Sequence, residues 1–293
     1  MSNTIELAKK YTTLLDEQYK RELTSDVLSI PNEFVKNAQG AGEVLLPKVS
    51  VDGLGDYSKA SGYPEGSVSF SWETHSLSED RGVEFTIDRQ ENREALNSVF
   101  TFTSSQFART KVAPELDAYR YAQLADQAPA EHTADADLDT STTIDAIEAG
   151  LVKLDNAEVP REGLYLFASP QIISNMRNSD LFQRNIKDIG DRKVSTYDNI
   201  PVIKVPQSRF VDAVTLNDGS SDFGFSGSGN NINFMLVHQG AGLPIVKQRQ
   251  LKVFDPDTNQ RKDGWLMQSR LYHDIFTPEN KVDGIYVHTV AIA

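Results

Sequence analysis

Asp255, Asp257 and Asn259 stand at the D-x-D-x-N spacing with which a calcium loop opens, so oxygen ligation of a hard cation is the first chemistry to weigh. The remainder of such a loop is missing. Gln260 occupies the position where the loop needs glycine for its turn, and Leu266 the position of the bidentate glutamate, which leaves a polar hairpin turn as the expectation. Glycines at 227 and 229, and again at 240 and 242, have the close spacing of phosphate-cradling loops, but no third glycine, P-loop lysine with serine or threonine, or following helix accompanies them. His75, His132, His238, His273 and His288 are scattered, with no pair at i, i+4, and His273 and His288 fall in strand-like runs where a satisfied histidine is the default. With 42 carboxylates in the chain, no acid and base pair can be singled out by position. Cysteine is absent, which removes disulfides, thiolate metal sites and cysteine nucleophiles. The expectation is a protein without catalytic residues, cofactor or metal.

The charge balance points the same way. Forty-two acidic against 29 basic residues give a formal charge of −13, unsuited to gripping phosphates over a broad surface, so nucleic acid is expected as a neighbour and not as a ligand. No run of ~18 apolar residues occurs, so no membrane helix is expected, and the charged start lacks the apolar core of a signal peptide.

The elements that could position residues are easier to read. Ile5 to Leu28 has the pattern of an amphipathic helix, and Pro31 with Gly40 and Gly42 ends it. Glu43 to Asp88 contains three strand-like runs, EVLLPKVSV, GSVSFSWETHSL and GVEFTID; between the first two lies the glycine-rich DGLGDYSKASGYPEG. This is an extended β-arm whose tip, short of apolar anchors, either stays disordered or is ordered by a partner. Glu91 to Ala128 is the longest helical stretch, with Leu96, Val99, Phe100, Phe107, Leu116, Tyr119 and Leu124 on one stripe. Pro114 either bends it or starts a second helix there.

Asp126, Glu131, Asp135, Asp137 and Asp139 make an acidic surface loop. Thr143 to Asn156 is predicted helical, GLYLFAS a buried strand, Pro170 onward a helix and IPVIKVP a strand, a compact α/β layer. NDGSSDFGFSGSGN is expected to be a flexible excursion before NFMLVH. LPIVKQRQLKVF, DGWLMQSRLYHDIFT and GIYVHTVAIA are further strands.

That order, from mobile amino-terminal arm through long β-arm, long helix and α/β insert to carboxy-terminal strands, resembles the major capsid protein of tailed bacteriophages, the coat fold known from phage Hong Kong 97. Local motifs carry the resemblance further. GLGDYSKASGYPEGSVSFSWETHSLSEDRGVEFTIDRQ leading into VAPELDAYRYAQLA is similar to coat proteins in which an arm ending in D-R-G and I-D-R precedes a helix bearing P-E-x-D-A-Y-R. DGWLMQSRLYHDIF and ENKVDGIYVH near the carboxy terminus fit the same subgroup.

The resemblance implies an α+β coat fold divided as follows: residues 1–41 as N-arm, 42–90 as E-loop, 91–135 as spine helix of the P-domain, 136–242 as A-domain, and 243–293 as P-domain and carboxy-terminal strands. It implies hexamers and pentamers of an icosahedral head around double-stranded DNA, with Leu45, Leu46, Val49, Tyr57 and Tyr63 on the arm meeting neighbouring subunits and Pro114 as a hinge in the spine. With only residues 1–41 ahead of the E-loop, fused scaffolding is not expected; a separate scaffolding protein, a portal and a decoration protein are the implied partners. An encapsulin-like compartment shell is the alternative. Some relatives weld subunits through an arm lysine, for which Lys48 and Lys59 are the residues to consider; the polar setting of Lys59 and the position of Lys48 after Pro47 predict no such bond.

Overall fold

The computed structural model describes residues 23–28, 36–37, 42–60, 62–89, 106–179, 185–189 and 192–291. The expected amino-terminal helix before Leu23 and the stretch 91–105 of the long helix lie outside them.

A 3₁₀ turn, Ser25–Leu28, precedes the arm. The arm is a three-stranded antiparallel sheet in the order β1-β2-β3, built from β1 (Lys36–Asn37), β2 (Glu43–Val51) and β3 (Val68–Ser76). Its main hairpin pairs Glu43 with Ser76 at the root and Val51 with Val68 at the far end. The tip is more organised than its composition suggests: Ser58 and Gly62 form an antiparallel bridge, and the Tyr57 and Tyr63 rings meet with centroids 4.9 Å apart. Glycine makes this turn possible, since Gly62 has φ +82°.

The next strand, β4 (Glu79–Asp88), leaves the arm's sheet and runs antiparallel along a long hairpin formed much later in the chain. A π-helical turn, Ala108–Val112, then runs without a break into α1 (Ala113–Gln127). Val112 and Ala113 both keep right-handed helical dihedrals, so the helix continues through Pro114, and no second helix starts there. The π turn falls immediately before the proline, one of the recognised ways a helix absorbs an interrupted hydrogen-bond ladder.

The remaining elements are β5 (Thr133–Asp135), α2 (Thr143–Asn156), β6 (Leu164–Ala168), α3 (Pro170–Asn178), β7 (Asn185–Ile189), β8 (Arg192–Tyr197), β9 (Ile200–Lys204), β10 (Val214–Leu216), β11 (Phe225–Gly227), β12 (Asn231–His238), β13 (Leu243–Phe254), β14 (Gly264–Phe276) and β15 (Ile285–Val290). Helix α3 begins as its sequence demands, with Ser169 Oγ accepting from Ile172 N and Pro170 at the first helical position. Seven strands form a mixed sheet in the order β5-β15-β12-β6-β9-β8-β7, and β13-β14-β4 form a second sheet.

The large sheet is the middle of three layers. Met235 and Val237 of β12 face α1 in a core with Tyr121, Leu124, Phe167, Phe210, Ile285 and Val287. Phe234 and Leu236 face α2 and α3 in a core with Ile147, Leu151, Ile172, Met176 and Tyr286. Strands buried on both faces explain why FMLV and LYLFA are uninterrupted apolar runs. Helix and sheet approach closely at Gly150, where a Cβ would come within 2.8 Å of the Tyr286 ring.

The excursion expected over residues 217–230 is an exposed loop from 217 to 224, but Phe225–Gly227 within it form β11, which pairs with β10 from Val214↔Gly227 to Leu216↔Phe225. Glycine and serine signal loops by composition, but β10 brings Val214 and Leu216 against the main core and β11 pairs with it.

Candidate interaction surface

Register decides which arm residues are available. Pro47↔Trp72, Val49↔Phe70 and Val51↔Val68 are cross-strand partners, so these six side chains share one face. That face is open: Val49, Val51, Val68, Phe70 and Trp72 are all substantially exposed, as are Leu54, Tyr57 and Tyr63 towards the tip. Phe70 and Trp72 meet edge to face at 5.3 Å. A contiguous apolar ribbon of this kind is what an interaction site leaves uncovered in an isolated subunit.

The five arm residues expected to meet a neighbour are thereby separated. Val49, Tyr57 and Tyr63 lie on exposed surface and Leu45 is half-buried. Leu46 is 3% exposed and packs with Val44, Leu77, Ile245 and Phe276 of its own subunit, anchoring the root of the arm. Its alternation with Leu45 is visible in the sequence; which face turns inward is set by β13 and β14, some 200 residues later.

Beneath the root, one stretch of α1 gathers the rest of the molecule. Asp117, fully buried, accepts from Thr24 N (3.0 Å), Thr24 Oγ1 (2.7 Å), Ser25 N (3.1 Å), Ser25 Oγ (2.6 Å) and Arg209 Nη1 (3.0 Å). Arg120 donates to Ser25 Oγ at 2.9 Å, and burial lowers its pKa from the ordinary guanidinium value. Tyr119 donates to Asp274 Oδ1 at 2.8 Å, and Asp274 Oδ2 accepts from Ser78 N at 2.9 Å, so β14, the arm root and α1 share one carboxylate. Burial raises the Tyr119 pKa and keeps the phenol a donor. Arg81 of β4 donates from Nε to Glu115 Oε1 at 2.7 Å.

The P-E-x-D-A-Y-R and D-R-G motifs thus have a physical role: they join parts of the chain far apart in sequence. Asp80, on the other face of β4, takes Arg270, and Arg89 takes Asp257 and Asp263. The apolar stripe alone does not predict this junction. The only sequence signal is charge at Asp117 and Arg120 within an otherwise apolar stripe, which a buried helix tolerates only when paired.

The residues first weighed for chemistry are used in turns and cores. Asp255 Oδ1 accepts from Thr258 N at 2.8 Å and Asn259 donates to Gly264 O at 2.8 Å, while Asp257 turns to Arg89, so the three oxygens do not converge on one point. Among the described residues no group of three or more His, Cys, Asp or Glu is arranged to hold a metal ion. His132 Nδ1 lies 3.2 Å from Ile285 O, and His288 stacks on Phe234 at 5.1 Å. His273 is buried beside Tyr119, and desolvation, reinforced by Arg120, Arg81 and Arg249, lowers its pKa to about 3. No helix among the described residues is long and apolar enough to cross a membrane.

No family model matches the chain, and no curated protein matches it in sequence. Solved structures do match. The mature capsid of bacteriophage PhiM1 aligns with a TM-score of 0.61 over 89% of this chain and 90% of that one, at 11% identity. The capsid of cyanophage P-SCSP1u aligns at 0.60 over 88% and 86%, at 12% identity. The SrpI encapsulin of Synechococcus elongatus aligns at 0.52 over 87% and 84%, also at 12% identity. At such identities the likeness is one of fold: the chain has the α+β fold of phage capsid subunits along most of its length.

Proposed function

We propose that this chain is the major capsid protein of a tailed bacteriophage, a structural subunit that assembles into hexamers and pentamers of an icosahedral head enclosing double-stranded DNA. The observation that carries the reading is the open apolar ribbon on the arm, Val49, Val51, Val68, Phe70 and Trp72, on a subunit with the fold of phage capsid proteins. In this reading residues 42–90 form the E-loop lying over a neighbour, 91–135 the spine, 136–242 the A-domain, and 243–293 the P-domain and carboxy-terminal strands. Residues 1–41 form the N-arm, tied down at Thr24 and Ser25. Pro114, beside the π turn, is the place where the spine gives. The net charge of −13 suits a wall that does not hold DNA tightly. A separate scaffolding protein, a portal and a decoration protein complete the head, which is built in the host bacterium.

A second reading, a compartment shell enclosing protein cargo, is supported by the fold shared with the SrpI encapsulin. Electron microscopy and nucleic-acid content of particles purified from infected or expressing cells distinguish the two. Shells filled with DNA after infection support the head; shells holding protein support the compartment. A chain that stays monomeric at high concentration overturns both.

A further inference from the structure

Arg81 serves three parts of the molecule, far apart in sequence, with one guanidinium. Its backbone belongs to β4, opposite Leu271 of β14. Nε donates to Glu115 Oε1 at 2.7 Å in the first turn of α1. Nη1 donates to Asn217 O at 2.7 Å and Nη2 to Gly224 O at 3.2 Å, the two carbonyls at the loop end of the β10–β11 hairpin. Gly224 O also accepts from Asn217 N at 2.9 Å, the bond that closes the hairpin. The hairpin touches the helix here: a Cβ at Gly224 would be in ordinary van der Waals contact with Glu115 Oε2, at 3.9 Å. Both partners of the ion pair are largely shielded, with side-chain exposures of 23% and 16%.

We propose that Arg81 is a latch that couples the β10–β11 hairpin to strand β4 of the β13-β14-β4 sheet and to the start of α1. Glu115 aims the guanidinium, and the planar fork then reaches two carbonyls at once, a geometry an ammonium cannot reproduce. The hairpin projects an exposed side chain, Phe223, from its loop, while Gly219 packs beneath that ring. Anything that engages and tilts the hairpin therefore pulls on β4 and on the turn that follows Pro114. Coupling of this kind is reciprocal, so loosening α1 at Glu115 must also loosen the hairpin. The inference rests on geometry within one subunit and holds whichever shell the protein builds.

Hydrogen exchange on the full chain tests it, because residues 214–227 can be read in any assembly state. Glu115→Gln makes no bond to the hairpin, yet it is expected to speed exchange of the Asn217 amide by about tenfold, the equivalent of one lost charge-assisted hydrogen bond. Arg81→Lys should do the same despite keeping the charge, and the double variant should exceed neither single one. Circular dichroism and the unfolding midpoint control for folding; if the Arg81 variant does not fold, the milder Glu115→Gln carries the test. Wild-type exchange in the hairpin of Glu115→Gln, full retention by Arg81→Lys, or additive effects in the double variant would overturn the latch.

Discussion

Val49 and Phe70 face each other directly across the β2–β3 ladder with more than half of each side chain exposed, whereas Leu46, three residues before Val49, is almost completely covered. One strand thus serves two bodies. Replacing Phe70 and Trp72 by serine should change subunit stability by no more than about 0.5 kcal/mol, as for other exposed sites, and abolish shell formation. Leu46→Ala should do the reverse, costing about 2–5 kcal/mol in chemical unfolding. Shells of normal yield from the serine variant would exclude the ribbon as an interface.

Asp117→Asn leaves Arg209 and Arg120 facing a neutral amide. Breaking a buried ion pair from one side costs about 3–5 kcal/mol, and the segment Thr24–Leu28 should lose its protection from hydrogen exchange before the rest of the subunit unfolds. Urea titration and peptide-resolved exchange measure the two effects; equal loss of protection everywhere would mean that Asp117 does not hold that segment in particular.

The buried histidines give stability a defined pH dependence. His273 has a folded pKa of about 3 against an ordinary 6.5, so below pH 6.5 the unfolded chain takes up a proton that the folded one refuses. Its contribution is therefore flat above that value and falls by about 1.4 kcal/mol per pH unit as the pH drops towards 3. His238 and His288, also lowered by burial, add slope of the same sign. Between pH 6.5 and 5, above the range of most carboxylates, His273→Gln should lose one histidine's share of the slope; an unchanged slope would show that this ring is protonated in the folded state.

Lys48 lies on the face opposite the apolar ribbon, paired with Glu279, which raises its pKa through a side-chain hydrogen bond and charge. That shift disfavours the neutral amine which attack on an amide requires, and Lys59 lies exposed near the tip. Particles boiled in detergent should give one band at the chain mass, 32.6 kDa. A ladder lost in Lys48→Arg or Lys59→Arg would reveal a covalent weld.

Pro114→Ala supplies an N–H that can bond to the carbonyl of residue 110 and remove the need for the neighbouring π turn. The subunit should fold as before, while any expansion of the shell, followed by scattering, slows; an unchanged rate would leave Pro114 without a hinge role.

Local pattern was enough to find α2, α3, β9, β13 and β14, because each carries its own period and its own stop signals. The first two strands of the arm were legible from alternation at Val68, Phe70 and Trp72, but GVEFTID, expected in the same arm, pairs instead with β14 in a different sheet. What could not be read was which distant residues meet. Asp117 finds Ser25 across 92 residues and Tyr119 finds Asp274 across 155, and nothing near a carboxylate in the sequence records its partner. The 214–227 hairpin was hidden for a different reason: β11 lies within a run rich in glycine and serine, and the arginine that clasps the hairpin lies more than 130 residues earlier.

Strand β15 lies between β5 and β12 in the large sheet, although β13 and β14 intervene in the chain. The core around Tyr121, Phe167 and Met235 is therefore completed by Ile285 and Val287, and without residues 285–290 it is open along one side. The last strand in the chain is thus an inner strand of the body, and the sheet is closed by the segment furthest in sequence from the arm.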